Sequence, residues 1–545
     1  MSAGVQVQPL VQAMWIACLA YPWLNPFAGG PSTSVQPWLA SALCAALLLA
    51  LRSWRLPAFP IPLWLALAAV ATAARALPLL DAFAVLAGLA VVLAMAGAAG
   101  TNARAPFVRA IAAAWLAAAC ASAAIALLQY FGWHEPFIPF VSNAGLGEAY
   151  GNLRQRNQLA SHLAIGLASL FWFVGRGMHR GLAAAPLLLL AAGSAASASR
   201  TGALQWVMLL ALAALWPSAR RRPLVVFAAA GLVAYAALCA LLPALLASGW
   251  GVEGRSVFAR FVGEDGCASR RVLWDNVLYL IAQRPLAGWG WGELDWAHYM
   301  QLYPGARFCD ILDNAHSLPL HLAVELGTPV ALLACSGLAW ALLRIAPWRE
   351  GDPDRQLALG ALAVILVHSL LEYPLWYGPF QIAFGLALGL LWPSRERAPV
   401  SAREANSAAG VAALAVAAIA YAAWDYHRIS QIYLAPEARA ERYRGDPLPE
   451  LRKSWLFRPQ VQFAELTITP LTRANAQWTY ETAQAALHYS PEPRVIGKII
   501  ESATLLGHRD VALAQLVRFR AAFPKEHAEW AREQGSGVSV RDVKD

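Results

Sequence analysis

The run Arg220-Arg221-Arg222-Pro223-Leu224-Val225-Val226-Phe227-Ala228 opens a stretch that continues to Ser248 without another charged residue. An apolar run of that length spans a bilayer as a helix, and cations gathered at one end fix which side that end faces. The same pattern recurs along most of the chain. Apolar spans are expected near 8–24, 36–51, 61–78, 80–99, 108–131, 159–175, 183–198, 201–216, 224–248, 329–346, 357–372, 378–393 and 408–424. Composition agrees: 59% of residues are hydrophobic, 14% are charged, and the mean hydropathy is +0.46. The expected fold is an all-α polytopic membrane protein of about 12–13 transmembrane helices. The first run lacks a basic n-region and a clear cleavage site, so it reads as the first membrane helix and not as a removed signal peptide.

Arginines test the count. Arg52 and Arg55 follow the second span, Arg104 and Arg109 the fourth, and Arg176 and Arg180 the sixth. Arg220 to Arg222 follow the eighth, Arg344, Arg349 and Arg355 the tenth, and Arg395, Arg397 and Arg403 the twelfth. Every even-numbered exit is basic, which puts those loops and the N-terminus in the cytoplasm. The net charge of +9 therefore reflects membrane topology for the most part, and a nucleic-acid partner is rejected. Segments 132–158, 249–328 and everything after about 425 fall on the far side. The domain reading is 1–425 for the membrane unit, with a long loop at about 249–328, and 426–545 for a far-side helical domain. Within that domain Asn475–Tyr489 and Val495–Phe523 have the spacing of tetratricopeptide hairpins without a full repeat, and Glu533–Asp545 is expected to be disordered. Pro393 to Asn406 reads as a cytoplasmic linker.

The unusual polar residues lie on the far side. In Asp313-Asn314-Ala315-His316-Ser317-Leu318-Pro319-Leu320-His321, Ser317 is expected to cap a short helix that Gly327 ends. His316 sits at its mouth, before an apolar span, where a neutral imidazole suits a general base; a hydrogen-bonded loop histidine is the plainer reading. Arg154, Gln155, Arg156 and Asn157, at the edge of a membrane helix, suit an anionic, sugar-bearing ligand or else a hydrated loop. Arg200 joins two spans with almost no loop, so it points into the bundle or snorkels to the headgroups. Arg270, Arg271 and Trp274 occupy an amphipathic helix of the interfacial kind. Gly288-Trp289-Gly290-Trp291-Gly292 suits a turn offering aromatic faces to sugars, or equally an interfacial anchor. His368 reads as a packed core histidine, while Glu372 or Tyr373 is placed to orient an imidazole. Glu293-Leu294-Asp295 is the only far-side acidic triplet resembling a metal motif, and the 7 cysteines show no zinc spacing; no metal or cofactor is expected.

In their order along the chain, Gly151-Asn152-Leu153-Arg154-Gln155-Arg156-Asn157, the Arg200 motif, Arg270-Arg271 with Trp274, Gly288-Trp289-Gly290 and Asn314-Ala315-His316-Ser317 resemble the O-antigen ligase/polymerase superfamily of bacterial inner-membrane glycosyltransferases. The extended tail from Leu456-Phe457-Arg458-Pro459 onward is similar to the branch of O-linked protein oligosaccharyltransferases that glycosylate pilin. The resemblance implies an undecaprenyl-pyrophosphate-linked oligosaccharide donor, membrane lipids around it, and a periplasmic site and C-terminus. It further implies that His316 is essential, that Arg200 and one of Arg270 or Arg271 hold the pyrophosphate, and that Gln155 and Tyr373 serve the site. Ser317 stands where many relatives carry asparagine.

The expected chemistry is metal-independent inverting transfer, with His316 taking the proton of an acceptor hydroxyl while Arg200 and Arg270/Arg271 stabilise the leaving phosphate. The acceptor is a pilin-like protein. Rival readings are an O-antigen ligase with lipid A–core as acceptor, an O-antigen polymerase and, in another class, a secondary transporter, which would need polar residues at the bilayer midplane. Cys267 and Cys309, the only cysteines of the long loop, are expected to form a disulfide in an oxidising compartment.

Overall fold

The computed structural model describes residues 9–51, 54–57, 60–76, 79–102, 105–217, 220–257, 266–392 and 401–535. Arg52, Arg104, Arg395, Arg397 and positions 536–545 of the expected disordered tail lie outside the described residues. Among the described residues thirteen apolar helices build the bundle. They are α1 (Pro9–Leu24), α2 (Val35–Ala50), α3 (Ile61–Ala73), α4 (Leu79–Asn102), α5 (Ala105–Tyr130), α6 (Arg156–Gly175), α7 (Arg180–Ala196), α8 (Arg200–Leu215) and α9 (Arg221–Trp250), then α13 (Thr328–Ile345), α14 (Pro353–Ser369), α15 (Gly378–Leu391) and α16 (Ala402–Ser430). The long loop carries α10 (Arg270–Gln283), α11 (Leu294–Met300) and α12 (Leu318–Leu326). The C-terminal part carries α17 (Arg458–Ile468), α18 (Ala476–Tyr489), α19 (Pro493–Leu505), α20 (Arg509–Ala522) and α21 (Pro524–Gly535). No strand occurs among the described residues, so the protein is an all-α polytopic membrane protein. Helices α4, α5, α6, α9, α13 and α16 are long and apolar enough to cross a bilayer unaided.

Several boundaries differ from the sequence reading: α3 ends at Ala73 and not near 78, and α16 begins at Ala402, inside the expected linker Pro393 to Asn406, and runs on to Ser430. Helix α14 stops at Ser369, short of Glu372, because Tyr373 precedes Pro374 and is driven out of helical geometry. Helix α21 runs through Glu533 to Gly535, held where Trp530 Nε1 and Gln534 Nε2 both donate to Glu501 Oε1 at 2.9 Å.

Packing in the bundle relies on small residues, since lipid offers helices little hydrophobic reason to associate. Gly385 and Gly389, one turn apart on α15, face α4 so closely that a Cβ would lie 2.6 Å from Val92 O and 2.2 Å from Ala96 O. One end of the bundle is tied by ion pairs: Arg55 to Glu404 at 3.1 Å, Arg355 to Glu350 at 2.6 Å, and Arg176 to Asp354. The opposite end gathers the long loops. There Asn152 Nδ2 donates to Leu24 O at 2.8 Å, and Tyr426 donates to Ser32 O at 2.7 Å. Trp291 stacks on Trp376, and Phe83 meets Trp455, so loop, turn and C-terminal part share this end.

Candidate active site

His316 is held in an unusual backbone shape. Its φ of 48° is left-handed, which costs a non-glycine residue about 1–3 kcal/mol. Buried Asn314 stabilises the turn, since its Oδ1 accepts the His316 N–H at 2.9 Å. Trp274 of α10 donates its indole N–H to Ala315 O at 3.1 Å, which ties the turn to a second element. Ser317 occupies the N-cap position of α12, but its hydroxyl makes no capping bond, contrary to expectation. Pro319 lies in the first turn and Gly327, with φ of 92°, ends the helix.

The imidazole reaches across to Glu372, on the turn after α14. His316 Nδ1 donates to Glu372 Oε2 at 2.7 Å, and Arg270 Nη2 donates to Glu372 Oε1. Asn157 Nδ2 also donates to Oε1, at 2.9 Å, and Ser199 Oγ donates to Asn157 Oδ1 at 2.7 Å. Ser199 caps α8 in turn by accepting the Gly202 N–H at 3.1 Å. Burial alone would raise the Glu372 carboxyl, but the hydrogen bond and charge of His316, with the Arg270 guanidinium, hold it below the ordinary range. Glu372 is therefore an anion at neutral pH, so Nδ1 of His316 is the nitrogen that carries a proton toward it, and Nε2 is left on the side away from the carboxylate. Tyr373 lies edge-on to His316 at 5.1 Å between ring centres, and burial first, then its neighbours, push its phenol up so that it stays protonated.

Beside this chain of contacts lies a cleft of about 490 Å³ lined by Arg200, Arg270, Arg271, Trp274, Asp275 and the apolar Leu278 and Leu371. Ser269 joins the lining and accepts the Val272 N–H at 3.4 Å, so the N-terminus of α10, with its positive dipole end, also opens there. The arrangement suits a ligand with concentrated negative charge. Cys267 and Cys309 are disulfide-bonded with their Cα atoms 5.4 Å apart, which joins the start of α10 to the segment leading into His316.

The other expected residues lie elsewhere. Arg154, in left-handed geometry, donates to Pro26 O, and Arg156 lies over the Tyr150 ring at 5.6 Å. Neither lines the cleft, because each is taken up in shaping the turn before α6. Gln155 caps α6, accepting the Gln158 N–H at 2.6 Å. Asn157 is buried and is hydrogen-bonded to Glu372 and Ser199. Trp289 corrects the aromatic-face reading: its ring is buried in the loop core, its indole donates to Leu280 O at 2.9 Å, and Arg284 covers it at 4.2 Å. The surrounding glycines clasp backbone to backbone. Trp289 and Gly290 donate their N–H groups to Val324 O at 2.9 Å and Glu325 O at 3.0 Å. A Cβ on Gly288 would lie 2.3 Å from Glu325 O, and one on Gly327 2.2 Å from Leu286 O. The turn thus braces α12, the helix that His316 precedes. Glu293 Oε2 accepts from His488 Nδ1 at 2.6 Å, and Asp295 accepts its neighbour's Trp296 N–H, so the acidic triplet is engaged structurally.

Residue patterns alone left Glu372 and Tyr373 as alternatives; the geometry selects Glu372 as the imidazole's partner. The signal was a carboxylate beside an apolar span, which needs a cation or donors to stay there. Asp275 and Ser199 carried no such signal, since an acid on an amphipathic helix and a serine before a helix are ordinary.

Three family profiles match in succession. "Protein glycosylation ligase" covers residues 149–173, "O-Antigen ligase" covers 185–335, and "Virulence factor membrane-bound polymerase, C-terminal" covers 356–536. A curated protein from Acinetobacter baylyi named General O-oligosaccharyltransferase is 25% identical over 289 residues, 50% of this chain. The chain spans about half of that relative's length, 49%. The second profile contains Arg200, Arg270, Arg271 and His316, and the third contains Glu372 and the C-terminal helices. Following one another along the sequence, the three profiles, with this relative, show that the chain is similar to the O-antigen ligase superfamily.

Proposed function

We propose that this protein is an O-linked oligosaccharyltransferase of the bacterial inner membrane, with the loop-bearing end in the periplasm. It moves a preassembled glycan from undecaprenyl pyrophosphate to a Ser or Thr hydroxyl of a pilin-like protein. The observation that carries the reading is the His316–Glu372–Arg270 chain at the edge of a cleft lined by Arg200 and Arg271. The acceptor oxygen attacks the anomeric carbon as the bond to pyrophosphate breaks, which inverts that centre. The hydroxyl proton passes to His316 Nε2, and the bonding pair leaves with the pyrophosphate. Glu372 stabilises the imidazolium that forms, a role that does not require it to become protonated. Arg200, Arg271 and the α10 N-terminus stabilise the charge on the leaving group, and this reading assigns that task to the protein without a metal.

The match of residues 149–173 to a protein glycosylation ligase profile supports a protein acceptor. The match of residues 356–536 to a polymerase profile favours a second reading, in which another glycan is the acceptor. A lipid A–core acceptor would use the same site. Purified protein incubated with lipid-linked oligosaccharide and, separately, pilin, lipid A–core and free lipid-linked glycan decides among them. Transfer to pilin that disappears with His316→Ala supports the proposal; transfer to glycan alone makes the protein a polymerase.

A further inference from the structure

We propose that Asp275 reads the first sugar of the lipid-linked donor by accepting hydrogen bonds from its hydroxyls, and so sets donor specificity. The inference rests on the pyrophosphate reading of the cleft given above. The cleft lining contains two adjacent residues of α10, Trp274 and Asp275, that a phosphate does not need. A carboxylate repels phosphate, and among the described residues Asp275 forms no ion pair although Arg271 lies one turn away. It is exposed on the cleft wall, so it is not held there as a packing element. An ionised carboxylate offers acceptors only, and of the groups on a glycosyl pyrophosphate the sugar hydroxyls are the donors that match.

Position agrees with chemistry. Four residues along α10 separate Asp275 from Arg271, about 6 Å of helix axis. That is the reach from a bound phosphate to the hydroxyls of the sugar it carries. Trp274 fixes the level of this face, since its indole N–H is committed to Ala315 O at 3.1 Å while its ring lines the cleft. The ring offers an apolar surface for a sugar face beside the carboxylate that takes its hydroxyls. On one helix the lining therefore runs from cations at Arg270 and Arg271 to an aromatic–acid pair at Trp274 and Asp275. The same helix is anchored to His316 through Ala315 and to Glu372 through Arg270, so a sugar held by Asp275 would be held in register with the base.

The test uses the full-length protein in detergent. Affinities are measured for undecaprenyl pyrophosphate alone, for the same lipid carrying one N-acetylhexosamine, and for analogues of that sugar lacking single hydroxyls. Asp275→Asn and, as a second variant, Asp275→Ala should weaken binding of the sugar-bearing lipid roughly 10- to 100-fold, the range for a hydrogen bond to a charged group. Binding of the bare lipid should be unchanged or tighter, because a negative charge has been removed. In Asp275→Asn the deoxy analogue that binds wild type poorly should bind as well as the parent sugar. Equal weakening toward bare and sugar-bearing lipid, or a fall in turnover with both affinities intact, would overturn the assignment. Arg271→Ala separates the two readings. If it leaves bare-lipid binding unaltered, the pyrophosphate reading of the cleft fails and this inference falls with it. If it weakens that binding while Asp275→Asn shows no preference for the sugar, only this inference fails.

Discussion

At His316 a left-handed backbone, an asparagine turn and a carboxylate partner converge on one side chain. His316→Ala should abolish transfer while leaving the protein folded, since the ring is partly exposed and supports no apolar cluster. Glycan transfer assayed beside the thermal unfolding curve checks both halves of that statement. Glu372→Gln keeps the shape but removes the charge that fixes the tautomer, and it should lower turnover on the order of 10²–10⁴-fold. The same substitution probes acid sensitivity. Because the folded Glu372 carboxyl titrates below its ordinary range, its pairing contributes fully to stability above that range. The contribution is lost as pH falls from there through the lowered value. Wild type should therefore lose stability on acidification through this group, and Glu372→Gln should lack that component, as read by thermal unfolding from about pH 6 to about pH 3.

Helix α10 carries the cationic half of the site, and three attachments hold it. Trp274 binds the His316 turn, Arg270 binds Glu372, and the Cys267–Cys309 bond ties its start to residues ahead of Asp313. With a sequence separation of 42, the disulfide restrains the unfolded loop by roughly 4 kcal/mol in the chain-entropy model. A Cys267→Ala, Cys309→Ala pair should raise the KM for donor more than it lowers turnover, because the cations lose register while the base stays attached to Glu372. Michaelis kinetics over a range of donor concentrations, with and without reductant, give the split. An equal effect on both constants would mean that the bond steadies the whole loop and not α10 in particular.

Across the whole molecule the C-terminal helices rest on the long loop. Tyr299 donates to Gln515 at 2.7 Å, Arg518 Nε donates to Met300 O at 3.2 Å, and His488 stacks on Trp296. The contacts fall on α11, beyond the glycine clasp and away from the cleft lining. This placement suits an element that presents an acceptor more than one that binds the lipid donor. Truncation after about residue 430 should reduce glycosylation of protein acceptor at least tenfold more than it reduces hydrolysis of the donor. Parallel assays of acceptor labelling and donor consumption read the difference, and equal losses would leave these helices a structural role only.

Bilayer physics acts on the chain locally, and that is why the sequence alone determined the membrane frame. A helix must satisfy its own backbone in hydrocarbon, so each span was legible as an apolar run, and the basic exits marked one end of the bundle. The candidate residues His316, Arg200, Arg270 and Arg271 were likewise visible, because charge beside an apolar span demands a reason. Their mutual arrangement was not, since it is decided between elements far apart in the chain. Glu372 meets His316 only because the end of α14 and the start of α12 lie at one level, and Asn157 serves that carboxylate because α6 starts beside both. The Gly288-Trp289-Gly290 turn carried the composition of a sugar platform, yet backbone contacts with residues 324–327 bury its first tryptophan. Residue type says which chemistry a side chain is able to perform. The tertiary structure decides which of these side chains are occupied in holding the chain together and which face the cleft.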